Sequence, residues 1–154
     1  MSNEINIAVI GLGQIGSYLL NELNNKKKDI LNKTGKKINI VAISAKNKNK
    51  KRSFNIDNYT WIEDPIDLLN VKGTKPNILV ELIGYEKNIS YELVKSALKQ
   101  KINVVTGNKA MLSKYGTELF DIAEENNVFL LFEAAVAGGI PIIKTLKNNI
   151  FLNK

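Results

Sequence analysis

The sequence has 154 residues and a net charge of +7, with 44% hydrophobic and 24% charged residues and neither cysteine nor histidine. This length and composition suit one globular domain with its own core. The two missing residue types exclude disulfides, thiolate nucleophiles and the usual zinc sites, and they leave Lys, Asp, Glu, Tyr or water for any proton transfer.

The first half of the chain begins with the continuous apolar run INIAVI, which is typical of a strand buried on both faces. Asp64 and Pro65 form a good start for a short helix. The predicted elements of this half are a strand at 5–10, a helix at 14–24, a strand at 38–44, an extended piece at 58–64 and a short helix at 65–70.

The second half continues the same alternation. Its predicted elements are a strand at 77–83, a helix at 90–100, a strand at 102–106, a helix at 113–127, a strand at 128–132 and a helix from 140. We expect Ser90 to cap the first of these helices. Strands that alternate with helices indicate a parallel sheet covered by helices on both faces, the doubly wound α/β class.

We expect neither a membrane span nor a secretion signal in this sequence. No apolar run reaches the roughly 20 residues that a membrane-spanning helix needs. The N-terminus, MSNEINIAVIG, lacks a basic region followed by a cleavage site, so we expect no signal peptide and a cytoplasmic location.

Two lysine-rich runs, at 24–37 and 46–52, hold much of the positive charge. They could bind nucleic acid electrostatically, but solvated loops are the favoured interpretation. A third interpretation, phosphate binding by the second run, depends on the glycine loop described next.

Gly11, Gly13 and Gly16 form the pattern G-x-G-x-x-G between the first strand and the first helix. In the dinucleotide-binding fingerprint the first glycine allows a tight turn, the second a close approach of the pyrophosphate, and the third close packing of the helix. The pyrophosphate would lie at the amino end of the helix. The pattern therefore predicts a Rossmann-type sheet, with a glycine turn in some other α/β protein as the alternative.

The end of the second strand usually carries an acid that binds the adenine ribose of NAD. Ser44 and Ala45 stand there instead, followed by KNKNKKR. A carboxylate would repel a 2′-phosphate and cations would attract it, so NADP(H) is favoured over NAD(H). The candidate residues are Ser44, Lys46 and Arg52, with Lys48 behind them.

Gly107, Asn108 and Lys109 follow a predicted strand, and Gly84 follows its neighbour in the chain. Ligands bind beyond the carboxyl ends of parallel strands, so these residues should share an edge with the glycine loop. Lys109 could hold a cofactor or substrate oxygen or take part in proton transfer, and a solvated loop lysine is the alternative.

The segment FEAAVAGGIPII, residues 132–143, contains a glycine-rich turn beside Glu133. Backbone carbonyls next to a carboxylate could bind Na⁺ or K⁺. From the spacing alone, a tight turn that lets a helix pack is the favoured interpretation.

Three blocks, VIGLGQIG, VVTGNKAML and FEAAVAGGIPII, resemble homoserine dehydrogenase in order and spacing. That family converts L-aspartate 4-semialdehyde to L-homoserine with NADPH or NADH, on the way to threonine and methionine. The resemblance implies a catalytic and cofactor-contacting role for Lys109. A departure is Tyr85, where family members commonly have a second glycine.

The glycine loop, the strand ends and the resemblance together give the candidate cofactor-binding residues. They are Gly11, Leu12, Gly13, Gln14, Ile15, Gly16, Ser44, Lys46, Arg52, Ile83, Gly84, Gly107, Asn108 and Lys109. The resemblance also implies a cation site. A monovalent cation, Na⁺ or K⁺, would be bound by main-chain oxygens of Glu133, Val136, Gly138 and Ile140, which raises the expectation of a cation site.

The resemblance covers only the N-terminal part of the family's protein. Residues 1–154 would be the dinucleotide-binding domain, with an interdomain helix starting near 140 and the substrate and dimerisation domain absent from this chain. We expect cofactor binding without turnover, and a full-length homodimer that acts on a small-molecule substrate without nucleic-acid or membrane partners. The alternative is a non-catalytic dinucleotide-sensing module.

Overall fold

The computed structural model describes residues 3–84 and 88–132. Within them, parallel strands form one sheet in the order β2-β1-β3-β4-β5. The strands are β1 (Glu4–Ile10), β2 (Lys37–Ser44), β3 (Ile78–Glu81), β4 (Asn103–Thr106) and β5 (Leu130–Leu131). The chain runs outward from β1 to β2, crosses back to β3 on the other side of β1, and continues outward to β4 and β5. The carboxyl ends of β1 and β3 therefore frame the switch point where such sheets bind ligands.

Helices connect the strands. The α-helices of the described residues are α1 (Gln14–Asn25), α2 (Lys27–Thr34), α3 (Ile89–Lys99) and α4 (Lys109–Glu125), and 3-10 turns lie at Ile56–Asn58 and Pro65–Leu69. In this part of the chain, none of the helices combines the length and the apolar character that crossing a membrane requires.

Apolar layers lie on both faces of the sheet. In β1, Ile7 and Val9 point to one face and join Leu20 of α1. Ala8 and Ile10 point to the opposite face. The second layer also includes Leu68, Leu69, Leu93, Val94, Ala97, Leu98, Leu119 and Ile122. All of these side chains are buried, so the predicted doubly wound architecture is confirmed.

Helix α2 was not predicted, because its segment is lysine-rich and shows no apolar stripe. None of its residues is buried. It ends at Gly35, whose φ of 67° is the left-handed conformation common after a helix. A glycine therefore ends this helix, which buries no side chain.

Helix α4 begins at Lys109, four residues before the predicted start at 113. Asn108 sets the boundary, because its side chain accepts a hydrogen bond from Met111 N–H at 3.0 Å. Asn88, not Ser90, occupies the cap position of α3. Ser90 lies inside that helix and is buried.

The remaining differences concern strand lengths. The predicted extended piece at 58–64 contributes a single parallel bridge between Trp61 and Ile43. The predicted strand at 128–132 is confined to Leu130–Leu131. Asp64 caps the following 3-10 turn by accepting from Ile66 N–H at 3.1 Å, as predicted. The helix predicted from 140 lies outside the described residues.

Gly116, in the interior of α4, gives a stability prediction. A Cβ there would lie 3.8 Å from the Phe120 ring, an ordinary contact. Since glycine inside a helix costs about 0.5–1 kcal/mol relative to alanine, Gly116→Ala should raise the free energy of unfolding by about that amount. Urea denaturation measures it. Gly35→Ala is the control: its Cβ would meet nothing within 4 Å, but its φ of 67° should make alanine destabilising. A lower urea midpoint for Gly116→Ala would contradict this packing.

Candidate functional site

A cavity of about 650 Å³ opens at the switch point between β1 and β3. The loops after three neighbouring strands form its wall. The lining residues are Ile10, Gly11, Leu12 and Gly13 after β1, Ser44, Ala45, Lys46, Asn47, Lys50 and Arg52 after β2, Leu82, Ile83 and Gly84 after β3, and Glu63, Pro65 and Ile89.

The three glycines of the loop have different steric surroundings. Gly11 has φ 93°, and a Cβ there would clash with the Leu82 carbonyl and lie 2.8 Å from Ile83 N. A Cβ at Gly16 would clash with the Gly11 carbonyl oxygen. A Cβ at Gly13 would meet nothing within 4 Å. Protein packing therefore requires the first and third glycines, whereas the space at the second is open to a ligand.

The amino end of α1 lies at this open space. Gly13 is the N-cap residue, and no side chain caps the helix. The first turn contains no acid. The unpaired N–H groups and the helix dipole make such an end favourable for an anion. Gln14, also predicted as a cofactor contact, lines a neighbouring groove with Gly13 and Lys50.

The loop after β2 brings cations to the cavity. The Ser44 carbonyl accepts a hydrogen bond from Gly11 N–H at 3.0 Å, which ties this strand end to the glycine loop. Lys46 and Lys50 line the cavity beyond it. Lys50 was not among the predicted residues, although it belongs to the run KNKNKKR that pointed to this loop.

Arg52 holds the shape of this loop. Its guanidinium donates to the carbonyl oxygens of Asn47 at 2.6 Å, Lys48 at 3.0 Å and Lys50 at 2.9 Å. It also lies 5.5 Å from the centre of the Trp61 ring, a cation–π contact. Partial burial lowers the pKa of Arg52. This arginine therefore lines the cavity and ties down the backbone that carries the lysines.

The predicted residues after β4 lie beside the cavity and do not line it. Gly107 N–H donates to the Glu81 carbonyl at 3.0 Å, and a Cβ on Gly107 would lie 3.4 Å from the Leu82 side chain. Asn108 is buried and caps α4. Lys109 is the exposed first residue of that helix. Of the predicted set, Ile15 and Gly16 of α1 also stay outside the cavity lining.

Glu81, the last residue of β3, is a buried carboxyl that was not predicted from the sequence. Its exposed fraction is 0%. Burial raises the pKa of Glu81, and hydrogen bonds led by that of Thr106 oppose this rise. Its only sequence signal is a single acid inside the apolar run ILVELIG. A second acid that escaped notice, Glu63, lines the cavity from a different segment.

The predicted cation ligands, Glu133, Val136, Gly138 and Ile140, lie outside the described residues, as does Tyr85. Among residues 3–84 and 88–132, no group of three or more metal-ligating side chains comes together.

The switch-point cavity, the glycine loop and the uncapped amino end of α1 together define a dinucleotide-binding domain of the Rossmann type. Residues 11–133 match the family model described as homoserine dehydrogenase, NAD binding domain. The chain belongs to this family.

Relatives of the chain are longer than the chain itself. Homoserine dehydrogenase from Neisseria gonorrhoeae is 36% identical over 150 residues, which cover 97% of this chain and 34% of that enzyme. The crystal structure of homoserine dehydrogenase from Thiobacillus denitrificans has a TM-score of 0.81 and 34% identity, over 97% of this chain and 34% of that one. The structure of a hyperthermophilic archaeal homoserine dehydrogenase mutant in complex with NADPH has a TM-score of 0.74 and 27% identity, over 96% of this chain and 49% of that one. The chain therefore spans about a third of the length of the two bacterial enzymes.

Proposed function

We propose that this chain binds NAD(P)H as the cofactor domain of an enzyme that interconverts L-aspartate 4-semialdehyde and L-homoserine. Gly13 carries the proposal. It lies at the amino end of α1, where protein packing leaves room for a ligand and nothing caps the helix. A pyrophosphate fits this cradle because free N–H groups and the helix dipole face it. Family membership supports the substrate assignment.

The proposal extends to the complete enzyme. Residues 1–154 would form its cofactor domain, and a further part would bind the substrate and form a homodimer. The enzyme would work in the cytoplasm, in threonine and methionine biosynthesis. A dinucleotide sensor is less favoured, because relatives that match nearly the whole chain are named as enzymes.

We also propose that NADP(H) is preferred over NAD(H). Lys46, Lys50 and Arg52 surround the β2 end of the cavity, and Ser44 stands where an NAD enzyme usually has its acid. A 2′-phosphate carries negative charge and would gain from these cations. Among the described residues that line this cavity, Glu63 is the one acid, against three cations. The NADPH complex of the archaeal relative agrees with this choice.

A fluorescence titration of the chain with NADPH and NADH tests both proposals. We expect tighter binding of NADPH by about tenfold, equivalent to one added charge-assisted contact. Lys50→Gln should weaken NADPH binding and leave NADH binding unchanged. Lys33→Gln, the same change on α2 outside the cavity, is the matched control and should affect neither. Equal affinities for the two cofactors would contradict the preference, and binding of neither would contradict the cofactor assignment.

In the proposed reaction, the chemistry supplied by the bound cofactor would be hydride transfer, to the aldehyde carbon of L-aspartate 4-semialdehyde or, in reverse, from the alcohol carbon of L-homoserine. Lys109 would stand near the oxygen that gains negative charge, stabilise it, and share delivery of its proton with a lysine from the remaining part of the enzyme. The chain contains no histidine that could perform this task. The turn after β4 would hold Lys109 at the edge of the sheet where the nicotinamide half of the cofactor lies.

The cation site at Glu133, Val136, Gly138 and Ile140 is proposed from the resemblance alone. Main-chain oxygens of this glycine-rich turn would bind Na⁺ or K⁺.

A further inference from the structure

Glu81 has an unusual position for a carboxyl group. It is fully buried between the strands, directly before the turn that lines the cavity. Among residues 3–84 and 88–132, no lysine or arginine forms an ion pair with it. Burying a carboxyl without a cationic partner costs folding free energy. Its hydrogen-bond partners therefore indicate its role.

Donors from three elements converge on the two oxygens of Glu81. Oε1 accepts from Ile83 N–H at 2.8 Å, in the turn after β3, and from the Ser90 hydroxyl of α3 at 3.1 Å. Oε2 accepts from the Thr106 hydroxyl at the end of β4, at 2.5 Å. Every bond has the carboxyl as acceptor, which is the arrangement that suits its ionised form.

Thr106 also connects Glu81 to the turn that precedes Lys109. Asn108 N–H donates to Thr106 Oγ1 at 3.0 Å, so the one hydroxyl proton of Thr106 is left to point at Glu81. The Asn108 side chain in turn caps α4, whose first residue is Lys109. The main-chain carbonyl of Glu81 also accepts from Gly107 N–H. Both the side chain and the backbone of Glu81 therefore hold the segment 106–108.

The contact with Ile83 extends to the cavity wall. Ile83 and Gly84 line the cavity, and the backbone at Leu82 and Ile83 presses against Gly11. One carboxylate thus fixes two turns at neighbouring strand ends, the one that walls the cavity and the one that starts α4.

We propose that Glu81 is a positioning residue for the nicotinamide half of the cofactor, an inference that rests on the proposed function: its carboxylate locks the 82–84 turn to the 106–108 turn and so sets where Lys109 stands. It contacts neither cofactor nor substrate. The β2 loop, which would hold the adenosine half, makes no contact with its carboxylate oxygens.

Binding of two ligands to the chain tests this role. Glu81→Gln keeps the side-chain shape but replaces one acceptor oxygen by a donor NH₂. If that NH₂ faces Thr106, the threonine hydroxyl must accept from both the amide and Asn108, and its own proton loses its partner. We expect the dissociation constant of NADPH to rise about tenfold, because the 82–84 and 106–108 turns would no longer be held in the arrangement that receives the nicotinamide half. That of 2′,5′-ADP, which lacks the nicotinamide half, should stay unchanged.

Thr106→Val and the matched Thr106→Ser extend the test. Since Glu81 acts through Thr106, Glu81→Gln combined with Thr106→Val should weaken NADPH binding less than the sum of the single effects. Thr106→Ser keeps the hydroxyl and should bind NADPH as the wild type does. Glu118→Gln, the same change at an exposed carboxyl on α4, should leave both ligands unaffected.

The possible outcomes separate the two proposals. Equal weakening of both ligands by Glu81→Gln would reveal a general structural role and overturn this inference, as would no change in either. A wild-type chain that binds neither NADPH nor 2′,5′-ADP would overturn the proposed function, and the inference with it, before any variant is measured.

Discussion

Replacing Lys109 by alanine in the complete enzyme is expected to lower kcat by at least about 100-fold, the usual scale for loss of a group that transfers a proton. Lys109 is exposed at the start of α4, held there by Asn108 and the Glu81–Thr106 contact. Removing its ammonium group would leave the developing oxyanion with one cation fewer. NAD(P)H affinity should fall much less than kcat, because the residues proposed to bind the pyrophosphate and the adenosine half lie on other loops.

Steady-state kinetics with both substrates measure this effect. Lys114→Ala removes an exposed lysine further along the same helix and should leave kcat unchanged. Lys109→Arg separates two roles of the lysine, because arginine keeps the charge but does not release a proton near neutral pH. Recovery of most of the activity by arginine would show an electrostatic role without proton transfer. A kcat for Lys109→Ala within a few-fold of the wild type would refute both roles.

The architecture could be predicted because the strands and the packed helices differ in apolar pattern. The β1 run INIAVI is apolar on both faces, and α1 has a stripe that ends at Leu20 and Leu23 in the core. Helix α2 lacks such a stripe, and its lysine-rich sequence is as typical of a solvated loop as of a helix. The start of α4 depends on one side-chain bond from Asn108, which hydrophobic periodicity does not register.

The candidate site was predictable where a single short segment makes it. The glycine loop is such a segment, and its first and third glycines lie where packing leaves no room for a side chain. Glu63 and Lys50 reach the cavity only through the path of the chain between β2 and the Pro65 turn, which has no strong local pattern. Glu81 escaped notice for a different reason. Its role depends on Thr106 and Ser90, and only the sheet pairing and α3 bring those residues to it.

Gly13→Ala and Gly16→Ala should separate cofactor binding from folding. The backbone of Gly13 is extended, with φ −76° and ψ −156°, so alanine fits without strain, and its Cβ would meet no protein atom within 4 Å. We expect unchanged thermal stability. A methyl group in the cradle would push the pyrophosphate away from the amino end of α1, so NADPH and NADH should both bind at least about tenfold more weakly.

Gly16→Ala should instead destabilise the domain itself. Its Cβ would overlap the Gly11 carbonyl oxygen and lie 3.1 Å from the Gly11 carbonyl carbon, which are backbone atoms that cannot rotate away. The loop or the helix would have to shift, at a cost of about 1–3 kcal/mol, the range for overpacked sites. Thermal unfolding and NADPH titration of both variants measure the contrast, with Gly116→Ala as the alanine control inside a helix. If Gly13→Ala binds NADPH as tightly as the wild type, the open space at this glycine does not hold the pyrophosphate. If Gly16→Ala keeps wild-type stability, α1 does not need its close contact with the loop.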